Sequence, residues 1–148
     1  MPLNQSFAGR AYPPTPPYEV GREKIREFAD AIGATDPAYR DGRAAQDAGY
    51  PDVIAPPTFP IVLTMAVTRQ IFDDPELGLD FSRVVHGDQR FRYTRPVCAG
   101  DRLSCVCVVE DVTGRGGHTF LTARIEVTAR DGEPVVTVWS KLVVRGEG

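Results

Sequence analysis

The chain has 148 residues, 42% of them apolar and 25% charged, with a net charge of −3. That length fits one domain, residues 1–148, able to bury roughly 70% of the surface its unfolded chain exposes. The acidic balance offers no basic face for nucleic acid, and no run of about 20 apolar residues could cross a membrane.

The opening residues, MPLNQSFAGR, lack the apolar stretch of a secretory signal. Residues 12–18, Tyr-Pro-Pro-Thr-Pro-Pro-Tyr, cannot form a helix or a central strand, because proline lacks the amide hydrogen and fixes φ. They predict an extended surface stretch. Ile25, Phe28, Ala29 and Ile32 then fall on one helical face, with Gly33 as the stop. Asp36-Pro37 is a turn, and residues 40–49 accommodate a short second helix.

A third helix is predicted from Phe59 to Phe72, with Pro57 in its first turn, where a missing N–H costs nothing. Ile61, Val62, Leu63, Met65, Ala66, Val67, Ile71 and Phe72 make it apolar on several faces, which predicts a buried helix. After Asp73-Asp74-Pro75 the period becomes two. Val85, Gln89, Phe91 and Tyr93 alternate with His86, Asp88, Arg90 and Arg92. Leu103, Cys105, Cys107 and Val109 mark a second strand, and Leu121, Ala123, Ile125, Val127 and Ala129 a third. Asp131-Gly132 is a tight hairpin signal before a last strand over residues 135–144. Gly114-Arg115-Gly116-Gly117 precedes a strand, so it reads as a hairpin loop and not as a phosphate cradle, which would open a helix. His118 reads as a loop histidine.

Three cysteines, Cys98, Cys105 and Cys107, are an odd number, which argues against a disulfide framework. Cys105 and Cys107 share a strand face and read as small buried hydrophobes. His86 and His118 complete no zinc pattern with them. No metal or cofactor is expected, and a reducing cytoplasm suits the thiols. Helices first, then four antiparallel strands, imply an α+β domain with helix packed on one sheet face. This pattern leaves several α+β folds open.

Two stretches resemble the MaoC-like hydratase/dehydratase family, over roughly residues 18–145. One runs from Phe91 to Leu103, Phe-Arg-Tyr-Thr-Arg-Pro-Val-Cys-Ala-Gly-Asp-Arg-Leu: a strand, a turn fixed by Pro96 and Gly100, and the next strand. The preceding His86-Gly87-Asp88-Gln89 resembles a motif of the branch related to the dehydratase of fungal fatty acid synthases. The other runs from Phe28 to Tyr39. Active members of the family carry Gly-Asp-x-Asn-Pro-x-His there, the Asp and His serving as the acid–base pair. In this chain Gly33 and Pro37 match, but Ala34 stands for the Asp, Asp36 for the Asn and Tyr39 for the His. The resemblance implies a hotdog fold, an antiparallel sheet wrapped around a long central helix, acting on an acyl-CoA or acyl-carrier-protein thioester.

The departures carry chemical consequences. A methyl group takes no proton, so Ala34 cannot serve in acid–base work. A tyrosine phenol, with a reference pKa of about 10, is far from a general base at neutral pH. Asp36 reads more simply as a turn residue before Pro37. The family's oxyanion donor, a Gly N–H at the start of the central helix, falls on Pro56-Pro57, and proline has none; a shift of one would put Thr58 there. His86 and Asp88, two apart on a strand, are expected on one face with Arg90 and Arg92, hence toward solvent or a partner.

The expected function is therefore that of the substrate-binding, non-catalytic subunit of a heterodimeric (3R)-hydroxyacyl-thioester dehydratase, similar to such actinobacterial subunits. Pro57, Thr58, Phe59, Val62, Leu63 and Ala66 are the expected substrate-binding positions, and arginines near the mouth would meet phosphates of the carrier. The partner would be a second hotdog bearing the Asp and His, although a homodimer can also form. Two other readings stand: a self-sufficient homodimeric hydratase or thioesterase using His86, Asp88 or Asp36, and an acyl-CoA-binding regulator without chemistry.

Overall fold

The structure is a computed structural model and describes residues 5–146. Helix α1 spans Arg22–Ala31, α2 Gly42–Asp47 and α3 Ile61–Phe72. Five strands, β1 Tyr18–Glu19, β2 Val84–Tyr93, β3 Arg102–Arg115, β4 His118–Thr128 and β5 Pro134–Val144, form one antiparallel sheet in the order β1-β3-β4-β5-β2. The sheet curls around α3, the hotdog architecture.

Strand alternation builds the core. Leu103, Cys105, Cys107 and Val109 of β3 face inward with Leu121, Ala123, Ile125 and Val127 of β4 and Val136, Val138 and Leu142 of β5. Leu63, Val67 and Ile71 of α3 meet them. Burial pushes the Cys105 thiol up to about 11 and the Cys107 thiol up to about 12, so both stay protonated hydrophobes. A two-residue turn closes the β3–β4 hairpin, and a five-residue loop with a 3₁₀ turn over Arg130–Gly132 closes the β4–β5 hairpin, both where the sequence signals them. Gly116 and Gly117 between β3 and β4 have positive φ, as do Asp131 and Gly132 between β4 and β5. His118 opens β4 and is not a loop residue; its Nδ1 accepts from the Gly146 N–H at 3.0 Å.

Four further sequence expectations need correction. The sheet has five strands, because Tyr18–Glu19 pairs with Arg102 and Leu103. The proline-rich stretch before it is extended as expected, and it runs along β3: the Gly9, Tyr12 and Thr15 amides donate to the Val109, Cys107 and Cys105 carbonyls. The far edge of the sheet is thereby covered. Helix α3 begins at Ile61, not near Pro57; residues 56–60 form tight i→i+3 turns first. It is also not buried all round: Met65 is 67% exposed, and Ala66 and Arg69 are exposed beside it. A single hotdog has no element to cover that face.

The fourth correction concerns β2. His86 pairs with Leu142 and Asp88 with Lys141, neighbours on β5, so Gly87 is the extra residue of a β-bulge. Cross-strand partners share a face. His86 therefore lies on the helix-facing side with Gln89, Phe91 and Tyr93, and Asp88 lies on the outer side with Arg90 and Arg92. The period-two count had placed His86 and Asp88 together; one inserted residue reverses it. Gly87 suits the bulge, since a Cβ there would stand 2.9 Å from Val143 Cγ2.

Candidate functional site

The loop after α1 is shaped locally. Gly33, at φ 70°, ends the helix, with the Gly33 N–H on the Asp30 carbonyl and the Ala34 N–H on the Ala29 carbonyl at 2.8 Å. This pairing is a Schellman stop. Asp36 then caps a 3₁₀ turn over Pro37–Tyr39 by accepting the Ala38 N–H at 2.9 Å. Its carboxylate is exposed and spent on that turn. Ala34 is half-buried, and its carbonyl accepts from Arg40 at 2.7 Å. The turn carries Tyr39 inward.

Tyr39 and Pro57 line a cavity of about 360 Å³, walled also by Tyr50, Ile54, Ala55, Tyr93, Thr94, Arg95 and Pro96. The Tyr93 hydroxyl donates to the Pro57 carbonyl at 2.6 Å. Burial holds the Tyr93 proton well above the ordinary phenol range, with the neighbouring Tyr39 adding to it. Arg95 is bound by Asp101 at 2.9 and 3.1 Å and by Glu133 at 2.9 Å. Those bonds raise its affinity for its proton further. With its charge so answered, Arg95 is a poor anchor for phosphate. A second cavity of about 480 Å³ shares Tyr50, Ile54, Arg95 and Pro96 and continues to Cys98 and Asp101.

No histidine, aspartate or glutamate lines the 360 Å³ cavity. Its chemistry is that of phenols, prolines and a neutralised guanidinium, which can bind and orient a ligand but offer no base near neutral pH. Of the expected site residues, Tyr39 and Pro57 come together here. Thr58 is exposed, outside the cavity wall. Phe59 is fully buried and packs edge-on against Phe28 at 5.5 Å, and Leu63 is buried with it in the core. Val62 is half-buried and Ala66 exposed. His86 and Asp88 are exposed on opposite sides of β2. Asp88 belongs to an outer-face depression of about 280 Å³, where Arg90 stacks on Trp139 at 4.5 Å. Among the described residues, no cluster of three or more His, Cys, Asp and Glu could hold a metal ion, and no helix is long and apolar enough to cross a membrane.

Sequence reasoning missed Tyr50, Tyr93 and Arg95 as cavity residues. Tyr93 could have been found, since alternation placed it inward and it ends β2 just before Arg95-Pro96. Tyr50 follows a helix end with no periodic signal.

Comparison with known proteins agrees with this architecture. The family model described as "FAS1-like, dehydratase domain region" matches residues 6–138. A UPF0336 protein of Saccharopolyspora erythraea is 61% identical over 146 residues, covering 99% of this chain and 94% of that protein. A chain in the crystal structure of the HadBC (3R-hydroxyacyl-ACP dehydratase) complex from Mycobacterium tuberculosis is 34% identical, with a TM-score of 0.83 over 93% of this chain and 96% of that one. A MaoC-like dehydratase is 33% identical with a TM-score of 0.89, over 95% of this chain and 43% of that one. Hotdog topology, the Pro-Val to Ala-Gly-Asp passage and these matches place the chain in the FAS1-like dehydratase-domain family, among the MaoC-like hotdog proteins.

Proposed function

We propose that this chain is the substrate-binding, non-catalytic subunit of a heterodimeric (3R)-hydroxyacyl-thioester dehydratase, paired with a hotdog that supplies the Asp and His. The observation that carries the reading is the Tyr39–Pro57 cavity. Where active relatives of the fold place a base, an acid and a backbone donor, this chain has Tyr39, Ala34 and a proline. Removing one oxyanion donor alone typically costs about 10²–10³ in rate.

The assembly surface supports the same reading. Among the described residues β2 pairs only with β5, so one side of a ten-residue strand is left for another chain. Met65 on α3, Phe81 in the turn before β2 and Val85 in β2 are 67%, 68% and 42% exposed, unusual for large apolar side chains. A second hotdog would cover them and bring the missing pair. The acyl chain would run along α3, where Val62 and Ala66 are accessible and Phe59 and Leu63 form the floor.

Affinity capture of the tagged chain from its native cell, followed by mass spectrometry, tests this. A stoichiometric hotdog partner bearing Gly-Asp-x-Asn-Pro-x-His is expected. Recovery of this chain alone, as a homodimer that binds acyl-CoA without turnover, would overturn the proposal in favour of a regulator or carrier.

A further inference from the structure

The cavity beside Tyr39 is poor in available donors. Pro57 and Pro96 have no N–H, the Tyr93 hydroxyl is given to the Pro57 carbonyl, and the Arg95 guanidinium is shared among Asp101, Glu133 and the Pro96 carbonyl. The Tyr39 and Tyr50 hydroxyls, by contrast, have no hydrogen-bond partner among the described residues. Tyr50 sits at the junction with the neighbouring 480 Å³ cavity. Tyr39 is half-buried and occupies the wall beside Pro57 and Tyr93. A cavity whose remaining donors are the hydroxyls of Tyr39, Tyr50 and the exposed Thr94, and whose guanidinium is already answered, suits a neutral ligand oxygen.

We infer that Tyr39 is a positioning residue whose phenol donates to the carbonyl oxygen of a bound acyl thioester, turning the family's histidine position into a holding contact. The inference rests on the thioester-binding reading above and deepens it. A neutral phenol gives one directional bond to a carbonyl and takes no proton from the α-carbon, so it retains the thioester without reaction. Arg95, neutralised by two carboxylates, favours the uncharged part of the ligand at this point over its phosphates.

The test is calorimetric titration of the full chain with S-butyryl-N-acetylcysteamine and with S-butyl-N-acetylcysteamine, the thioether that lacks only the thioester carbonyl. Wild type should bind the thioester about 5- to 10-fold more tightly, the usual worth of one neutral hydrogen bond. Tyr39→Phe keeps the ring, and with it the cavity wall, and should bring the thioester down to the thioether's affinity while leaving the thioether unchanged. Tyr50→Phe should preserve the discrimination. Equal binding of both probes by wild type, discrimination that survives Tyr39→Phe, or no binding of either probe would each overturn the assignment. The subunit reading is decided separately by the captured partner, so the two can fail independently.

Discussion

The Tyr93 hydroxyl reaches across 36 residues to the Pro57 carbonyl, tying the last residue of β2 to the turn that launches α3. Tyr93→Phe should lower the unfolding free energy by about 1 kcal/mol, read as a shifted urea midpoint at unchanged slope. The pH dependence has a definite sign. Burial raises the Tyr93 pKa in the folded state above its unfolded value near 10. Its contribution is thus intact below about pH 10 and is lost as pH rises beyond it. Tyr12 is raised likewise by burial and by its bond to Asp74, so Tyr93→Phe should reduce the alkaline loss without abolishing it.

Acid acts through Asp74. Burial pushes its carboxyl up, but the bonds from the Tyr12 hydroxyl at 2.8 Å and the Glu76 N–H at 3.0 Å, with Arg10 at 3.6 Å, outweigh that and hold it below the usual range. Stability from such a group is present above its unfolded value near 4 and is lost as pH falls through the folded one. Tyr12→Phe should therefore destabilise most near neutrality, with the difference from wild type shrinking as pH drops below about 4. Urea denaturation across that range checks it.

At Gly87 the β2 bulge brings the backbone against Val143. Gly87→Ala must displace a branched side chain and is expected to cost about 1–3 kcal/mol in thermal or chemical unfolding. An unchanged midpoint would show that the bulge relaxes freely.

The two sides of α3 should respond differently. Phe59→Ala removes a fully buried ring and should cost about 3–5 kcal/mol. Met65→Glu touches only the exposed face and should stay within about 0.5 kcal/mol in the isolated chain. It should nonetheless abolish co-purification with the partner hotdog, because a charge would be buried unpaired at the contact.

Much of this was readable from the chain, for local reasons. The stop at Gly33, the hairpin at Asp131-Gly132 and the inward faces of β3 and β4 follow from left-handed φ, turn chemistry and alternation, all set within a few residues. Tyr39 and Pro57 are singled out by resemblance, and both line the same cavity. What failed depended on distant partners. A bulge is defined by the opposing strand, so His86 and Asp88 were put on one face. Strand β1 exists only because β3 offers its edge. Helix α3 is apolar beyond what this chain buries, and periodicity alone does not say which apolar positions the rest of the chain will cover.

The central claim is that this chain binds and its partner reacts. It is tested most directly by hydration of a trans-2-enoyl thioester, measured for the purified chain, for the captured complex, and for the complex carrying His86→Ala and Asp36→Ala in this chain. No turnover is expected of the chain alone, turnover is expected of the complex, and the kcat of the doubly substituted complex should stay within about twofold of the unsubstituted one, since neither side chain lines the cavity. Turnover by the chain alone that disappears with His86→Ala would contradict it.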